Sequence, residues 1–268
     1  MSWISARRRH PAAGYAAVLL GLVMVGVLYA AVTSTGGSAS TSSASPSQIA
    51  QGQKLFSVTC SACHGLNAQG TSQGPSLIGA GAAAVDFQMS TGRMPAAEVG
   101  AENPSKPLRF TQAQIYAIAA YIASLGGGPA IPSADQVSTS GANTALGSQL
   151  FLANCAQCHN FRGAGGALTY GKSAPPLTSA TARQIYEAML TGPEAMPVFS
   201  DGTITPAEKR DIIAYVTQTR SETNPGGFSL GSVGPVTEGI VAWLGGILAL
   251  VLTAMWITAK RREERVEP

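Results

Sequence analysis

The sequence contains few histidines, few aromatic residues and few charges. Its 268 residues include three histidines, and Phe, Trp and Tyr together make up 6%. Charged residues account for 12%, and residues 35–234 contain ten Lys or Arg against ten Asp or Glu. A neutral middle region argues against the basic stripe of a nucleic-acid-binding domain, so no nucleic acid partner is expected. So few aromatic residues predict a thin protein core, which small domains usually reinforce with a disulfide, a metal or a large cofactor.

The four cysteines form two C-x-x-C pairs, and a histidine directly follows each pair. The motifs are CSACH at residues 60–64 and CAQCH at residues 155–159. This pattern is typical of covalent haem c attachment, because two thiols reach the two vinyl groups of one porphyrin edge and the imidazole binds the iron. Two covalently bound haem c groups are therefore predicted. The predicted residues are Cys60, Cys63 and His64 for the first haem, and Cys155, Cys158 and His159 for the second.

Three other chemistries of paired cysteines fit these motifs less well. A structural zinc ion needs four ligands, and each motif offers three. A thioredoxin-type redox pair requires a βαβ context, which the sequence does not predict. A structural disulfide within each pair would leave the adjacent histidine without a role. Haem is the interpretation that uses all three residues of each motif.

Methionine is the expected second axial ligand of each iron. Electron-carrying haems use two histidines or one histidine and one methionine, and the remaining His10 lies in the N-terminal tail. Met94 and Met196 each precede a proline in a Gly- and Pro-rich loop. We expect them to bind the first and the second haem iron, respectively. Met89 and Met189 lie in stretches that can continue a helix, so we expect them to pack in the core.

An internal repeat organises the middle of the chain. GQKLFSVTCSACH at residues 52–64 aligns with GSQLFLANCAQCH at 147–159, and IAAYI at 118–122 aligns with IIAYV at 212–216. Capping-box sequences such as TQAQ and TPAE predict helices in both copies, and no segment shows sustained strand-type alternation. We therefore predict an all-α class, with domains at 46–126 and 143–222 and linkers at 35–45, 127–142 and 223–238.

Repeated small and aromatic residues indicate how each copy packs. The first helix of each copy carries Gly and Phe four residues apart, and we expect both to meet a Tyr on the last helix. The loop after each haem motif carries a Pro whose backbone carbonyl can accept a hydrogen bond from the axial imidazole, although simple loop rigidity is the alternative. These residues are Gly52, Phe56, Pro75 and Tyr121 in the first copy, and Gly147, Phe151, Pro175 and Tyr215 in the second.

Charge-free apolar runs occur at both ends of the chain, at residues 11–33 and 239–259. Each is about 20 residues long, which is enough to cross a bilayer. Basic clusters at 7–9 and 260–262 place both termini in the cytoplasm and the haem domains outside it. The first run is also compatible with a cleaved secretory signal, although its length favours a retained anchor. Two transmembrane segments are thus predicted, within 1–34 and 239–268.

Each copy resembles a class I cytochrome c domain, in which a short helix leads to C-x-x-C-H and a Met-Pro loop precedes a C-terminal helix with tyrosine. The order of span, domain, domain and span is similar to the dihaem cytochrome cc subunit of the actinobacterial cytochrome bc1 complex, over nearly the whole chain. The expected fold is therefore all-α, with two tandem class I cytochrome c domains between two transmembrane helices.

This resemblance implies a respiratory function in the cell membrane. Members of that family accept electrons from the Rieske iron–sulfur protein while cytochrome b oxidises menaquinol, and they pass the electrons to a cytochrome aa3-type oxidase. These proteins and the lipid membrane are the expected partners. The chain would then be an electron-transfer subunit of an oxidoreductase and translocase, rather than an enzyme by itself.

Three alternatives remain open on the sequence. A stand-alone, membrane-anchored dihaem carrier would share the repeat but needs no C-terminal span. A dihaem subunit of a terminal oxidase is usually anchored from one end. A dihaem peroxidase needs an open or histidine-ligated iron, and outside the two motifs the sequence offers His10 alone.

Overall fold

The structure is a computed structural model that describes residues 12–33, 44–100, 102–222 and 235–263. The basic cluster at 7–9, His10, and most of the predicted linkers 35–45 and 223–238 lie outside the described residues. The chain divides into two units, Met1–Ala44 and Ser45–Pro268. Helix α1, Ala12–Thr33, belongs to the first unit, and the apolar side chains described along it are exposed.

The second unit ends in helix α11, Pro235–Glu263, which starts inside the predicted linker because Pro235 is pre-organised for a first helical position. Its segment Thr237–Ala259 is long and apolar enough to cross a membrane, and none of it is buried. The described apolar stretch of α1, Gly14–Tyr29, is shorter than such a span. The structure therefore supports one membrane-spanning candidate among the described residues, at the C-terminal end. The predicted N-terminal span is not confirmed.

The first repeat, residues 46–126, is a small helical domain. Its helices are α2 (Pro46–Thr59), α3 (Ser61–His64), α4 (Gly81–Ser90) and α5 (Gln112–Gly126). Ser45 caps α2 by accepting a hydrogen bond from the Gln48 N–H, and Thr111 with Gln114 forms a complete capping box at α5. The apolar face of α5 then packs between α2 and α4.

The second repeat, residues 143–222, has the same helix order. Its helices are α7 (Thr144–Asn154), α8 (Ala156–His159), α9 (Ala182–Thr191) and α10 (Pro206–Ser221). Complete capping boxes start α9 at Thr181 and α10 at Thr205. The core again forms where the last helix meets the first and the third.

The predicted contact between the first and last helices is confirmed in both repeats. The rings of Phe56 and Tyr121 lie 5.4 Å apart, and those of Phe151 and Tyr215 lie 5.3 Å apart, measured between centroids. The glycine four residues before each Phe allows this approach. A Cβ atom on Gly52 would lie 1.9 Å from the carbonyl oxygen of Ala117.

The all-α expectation needs a correction, since the protein is mostly helical with a small hairpin. Strands β1 (Gly166–Ala167) and β2 (Ser173–Ala174) pair antiparallel in the second repeat. Two-residue strands are too short to show alternation in a sequence. The hairpin is accommodated because His159 and Pro175 are 16 positions apart, against 11 for His64 and Pro75 in the first repeat.

The segment 127–142, predicted as a linker, is ordered against both repeats. It contains helix α6, Ala134–Val137, which starts at a capping box of Ser133 and Gln136. Ile131 packs against the core of the first repeat and Val137 against that of the second. The connection therefore positions the two repeats relative to each other.

Candidate haem sites

The two C-x-x-C-H motifs are folded in the same way. In the first repeat, Cys60 ends α2, and the single turn α3 carries the other residues of the motif. The His64 N–H donates to the Cys60 carbonyl at 3.0 Å, and the equivalent bond from His159 to Cys155 is 2.9 Å. This tight turn brings two thiols and one imidazole to the same side of the chain, as attachment of one porphyrin edge requires.

The imidazole of each motif is held through one ring nitrogen. His64 Nδ1 lies 2.8 Å from the carbonyl oxygen of Pro75, and His159 Nδ1 lies 3.0 Å from that of Pro175. The expected proline carbonyl contacts are thus confirmed. An Nδ1–H that donates to a carbonyl leaves Nε2 as the nitrogen that can bind a metal, which is the usual arrangement for a ligating histidine.

Burial shifts the pKa values of three side chains in the two motifs. It raises the pKa of the Cys60 thiol, and it raises that of the Cys155 thiol to about 11. Burial also lowers the pKa of His159, against the opposing effect of its bond to Pro175. At neutral pH the imidazole is therefore neutral, which is the form that binds a metal.

One cavity in the second repeat brings together the four residues that are predicted to hold the second haem. It has a volume of about 790 Å³ and is lined by Cys155, Cys158, His159 and Met196. This volume lies within the range of roughly 300–1,000 Å³ that holds small-molecule cofactors. The wall is largely apolar and includes Phe151, Leu168, Leu177, Ile185, Phe199, Ile212 and Val216. The donor set and the apolar walls both fit a haem.

Met94 and Met196 lie in loops, and Met89 and Met189 lie in helices, as the sequence predicts. Met94 packs against the same cluster of the first repeat as Cys60, and Met196 packs against that of the second repeat with Cys155. Met89 and Met189 are buried in these cores, at 6% and 2% exposure. Met189 additionally lines the cavity of the second repeat.

The sequence gives no indication that the first repeat completes the wall of the second cavity. Phe87, Arg93 and Lys106 of the first repeat are among the residues that line it. Arg93 directly precedes Met94, and its Nε lies 4.0 Å from an oxygen of Glu194, two positions before Met196. The two methionine loops therefore meet at the boundary between the repeats.

Two backbone bonds strengthen this contact between the repeats. The Asn103 N–H donates to Glu194 at 2.8 Å, and the Ser173 N–H donates to Glu102 at 2.7 Å. Each bond joins a carboxylate of one repeat to the main chain of the other. Such pairs leave no signal in a single sequence, because the four positions show no periodicity or motif.

Comparison with known families agrees with this geometry. Residues 49–126 match the family described as Cytochrome c, and residues 142–216 match the family described as Cytochrome C oxidase, cbb3-type, subunit III. The fold and the sites thus define a protein with two tandem cytochrome c domains. Domains of this class carry covalently bound haem c, and two domains fit two haems.

Curated relatives identify the family more closely, and the chain belongs to the cytochrome c subunits of the cytochrome bc1 complex. The protein of that name from Corynebacterium diphtheriae is 45% identical, over 96% of this chain and 98% of the relative. Those from Mycobacterium tuberculosis and Mycobacterium leprae are 44% and 45% identical, over 95% and 91% of this chain and 93% and 86% of the relatives. The chain is therefore an electron-transfer subunit of an oxidoreductase complex.

Proposed function

We propose that this subunit accepts electrons from the Rieske iron–sulfur protein during menaquinol oxidation by cytochrome b, and passes them to a cytochrome aa3-type oxidase. The observation that carries the proposal is the cavity in which Cys155, Cys158, His159 and Met196 meet. An apolar cavity lined by two attachment thiols, one imidazole and one thioether suits an electron carrier, whereas a peroxidase needs an open or differently ligated iron.

Each residue of the two sites has its own role in holding a haem. Cys60 and Cys63 would attach the first haem through their thiols, and Cys155 and Cys158 would attach the second. His64 and His159 would bind the iron through Nε2, while the proline carbonyls fix the rings through Nδ1. Met94 and Met196 would supply the second ligand of each iron. Haem would supply one-electron iron chemistry when bound, and the apolar wall of the second cavity would limit its contact with water.

We further propose that two membrane spans anchor the subunit and that its haem domains, residues 46–126 and 143–222, lie outside the cytoplasm. The apolar helices Gly14–Tyr29 and Thr237–Ala259 support this arrangement, as do the basic clusters at 7–9 and 260–262. The segments 35–45 and 223–238 would then connect the spans to the haem domains.

Substitution of the methionine ligand tests the proposed site. Met196→His is expected to lower the reduction potential of the second haem, because a thioether ligand raises the potential relative to a second imidazole. Met189→Leu is the matched control, since Met189 lines the same cavity and is not a proposed ligand. A spectroelectrochemical titration of the haem-loaded chain measures both. An unchanged potential in Met196→His, or a large fall in Met189→Leu, would contradict the assignment.

Purification in mild detergent tests the proposed partners. Cytochrome b, a Rieske protein and aa3-type oxidase subunits are expected to co-purify with the tagged full-length chain. Recovery of the chain alone would favour a stand-alone dihaem carrier. Recovery with oxidase subunits and no cytochrome b would favour a subunit of a terminal oxidase.

A further inference from the structure

Two carboxyl groups are buried at the boundary between the repeats. Asp86 on α4 and Glu187 on α9 are each 0% exposed. The two helices occupy equivalent positions in the repeats, and they pack against each other. Asp and Glu are almost never fully buried unless they are partnered, so these two positions require an explanation.

Asp86 has one cation and one hydrogen-bond donor beside it. Its Oδ2 lies 3.0 Å from Nε of Arg183, and its Oδ1 accepts a hydrogen bond of 2.8 Å from Gln112. Arg183 also donates to the hydroxyl of Tyr116 at 2.6 Å, which holds the guanidinium in place.

Glu187 lacks the donors that an ionised carboxylate needs. Among the described residues, no N–H or O–H group donates to either of its oxygens. Asp86 on the packed helix α4 also acts on it with a charge of the same sign. Two buried carboxyl groups beside one guanidinium cannot both be ionised, because one cation cannot balance both charges. A proton on Glu187, the carboxyl group without a donor, resolves the conflict.

The elements around α9 bring no further charge to Glu187 within the described part of the chain. The charged groups that act on it are Asp86 on α4 and Arg183 on its own helix. Tyr116 of α5 accepts a hydrogen bond from Arg183. On α10, Lys209 is paired with Asp201 at 2.7 Å and lies over the ring of Tyr186 instead. The protonation of Glu187 is thus influenced by one charge of the same sign and one of the opposite sign.

We propose that the boundary between the repeats is a proton-binding site, in which Glu187 takes up one proton when the repeats pack and releases it when they separate. Gln184 and Ser90 complete the contact, with hydrogen bonds from the Gln184 amide to the hydroxyl and carbonyl of Ser90 at 3.1 and 3.2 Å.

The direction of the pH effect follows from linkage. Burial, and then the charge and contact of Asp86, raise the pKa of Glu187 to about 10 in the packed state, against the opposing effect of Arg183. In the separated state a solvent-exposed Glu187 returns to its ordinary pKa near 4.5. Packing therefore takes up a proton between these two pH values. Its equilibrium constant falls up to tenfold for each pH unit as pH rises through that window, and is constant below it.

Infrared spectroscopy of the haem-loaded full-length chain tests for the proton. At pH 8 we expect the carbonyl band of a protonated carboxyl, which disappears in Glu187→Gln. Glu98→Gln is the matched control, because Glu98 is exposed in the first repeat. The proposal is overturned if wild type shows no such band at pH 8, or if the band persists in Glu187→Gln.

A distance measurement tests the coupling to packing. Spin labels at Val58→Cys and Tyr170→Cys, positions that are 84% and 99% exposed, report on the separation of the repeats in fully reduced protein. Haem absorbance first verifies that both haems are attached, which leaves no native thiol free to react with the spin label. Failed haem attachment is thereby distinguished from a change in packing. A Ser90→Ala background removes one hydrogen bond between the repeats, and urea is added until both the packed and the separated populations are detected.

In that background the ratio of packed to separated repeats is expected to fall by up to tenfold per pH unit between pH 6 and 8. With Glu187→Gln added, the ratio should become independent of pH, whereas Glu98→Gln should leave the slope unchanged. The proposed coupling would be refuted if the ratio still depended on pH in Glu187→Gln. It would also be refuted if the ratio did not depend on pH without that substitution.

Discussion

Each repeat has one glycine whose lack of a Cβ atom allows the first and last helices to approach closely. A Cβ atom on Gly147 would lie 1.9 Å from the carbonyl oxygen of Asp211 and 2.3 Å from its carbonyl carbon. These atoms belong to the backbone of α10, which cannot move aside without disturbing the core around Phe151 and Tyr215. The aromatic contact of each repeat therefore depends on a residue with no side chain.

Gly147→Ala is expected to lower the free energy of unfolding of the second repeat by about 1–3 kcal/mol, the usual cost of an overpacked contact. Denaturant unfolding of the haem-loaded chain measures the change. Gly202→Ala is the control, since a Cβ there would lie 3.8 Å from the nearest side-chain atom. Equal stability of the two variants would show that the helices can separate without cost.

At the scale of single elements, α10 begins with a reciprocal cap. The Thr205 hydroxyl accepts from the Glu208 N–H, and Glu208 accepts from the Thr205 N–H at 2.7 Å and from its hydroxyl at 2.8 Å. The backbone bond, followed by the hydroxyl bond, lowers the pKa of Glu208. A lowered pKa means that the carboxylate stabilises the fold above pH 4.5, and that this contribution is lost as pH falls through the lowered value.

Stability measured between pH 6 and pH 3 is therefore expected to fall more steeply in wild type than in Glu208→Gln. Urea midpoints at each pH provide the comparison. Glu98→Gln serves as the exposed carboxyl control and is expected to follow wild type. The cap would have no electrostatic role if the Glu208→Gln profile ran parallel to that of wild type.

Several elements could be predicted from the sequence because their causes are local. The capping sequences at Thr111 and Thr205 marked the starts of α5 and α10, and the aligned repeat predicted the Phe–Tyr contacts. The hairpin β1–β2 could not be predicted, since its strands are two residues each. Its connection also places Tyr170 in the left-handed region, at a φ of 58°, which non-glycine residues seldom adopt.

In the whole molecule, one guanidinium makes several of the contacts between the two repeats. Arg183 is the cation paired with Asp86, and it also lies over the ring of Tyr116. The sequence could not predict this arrangement. Charged residues on a helix are normally solvent-exposed, so Asp86 and Glu187 are indistinguishable from surface carboxylates until the two repeats are placed together.

Arg183→Met is expected to weaken the packing of the repeats by about 2–3 kcal/mol, because it leaves the buried Asp86 without its cation. Small-angle X-ray scattering of the haem-loaded chain in detergent should then detect a larger radius of gyration at neutral pH. Arg109→Met is the matched control, since Arg109 is exposed in the first repeat. A radius unchanged from wild type would mean that the other contacts hold the repeats together without Arg183.

The shared wall of the second cavity also bears on how the protein matures. Phe87, Arg93 and Lys106 of the first repeat line a pocket whose covalent attachment points, Cys155 and Cys158, belong to the second. The wall of the second site is therefore complete only when both domains are present. A second domain produced alone would have to bind its cofactor in a pocket that lacks one wall.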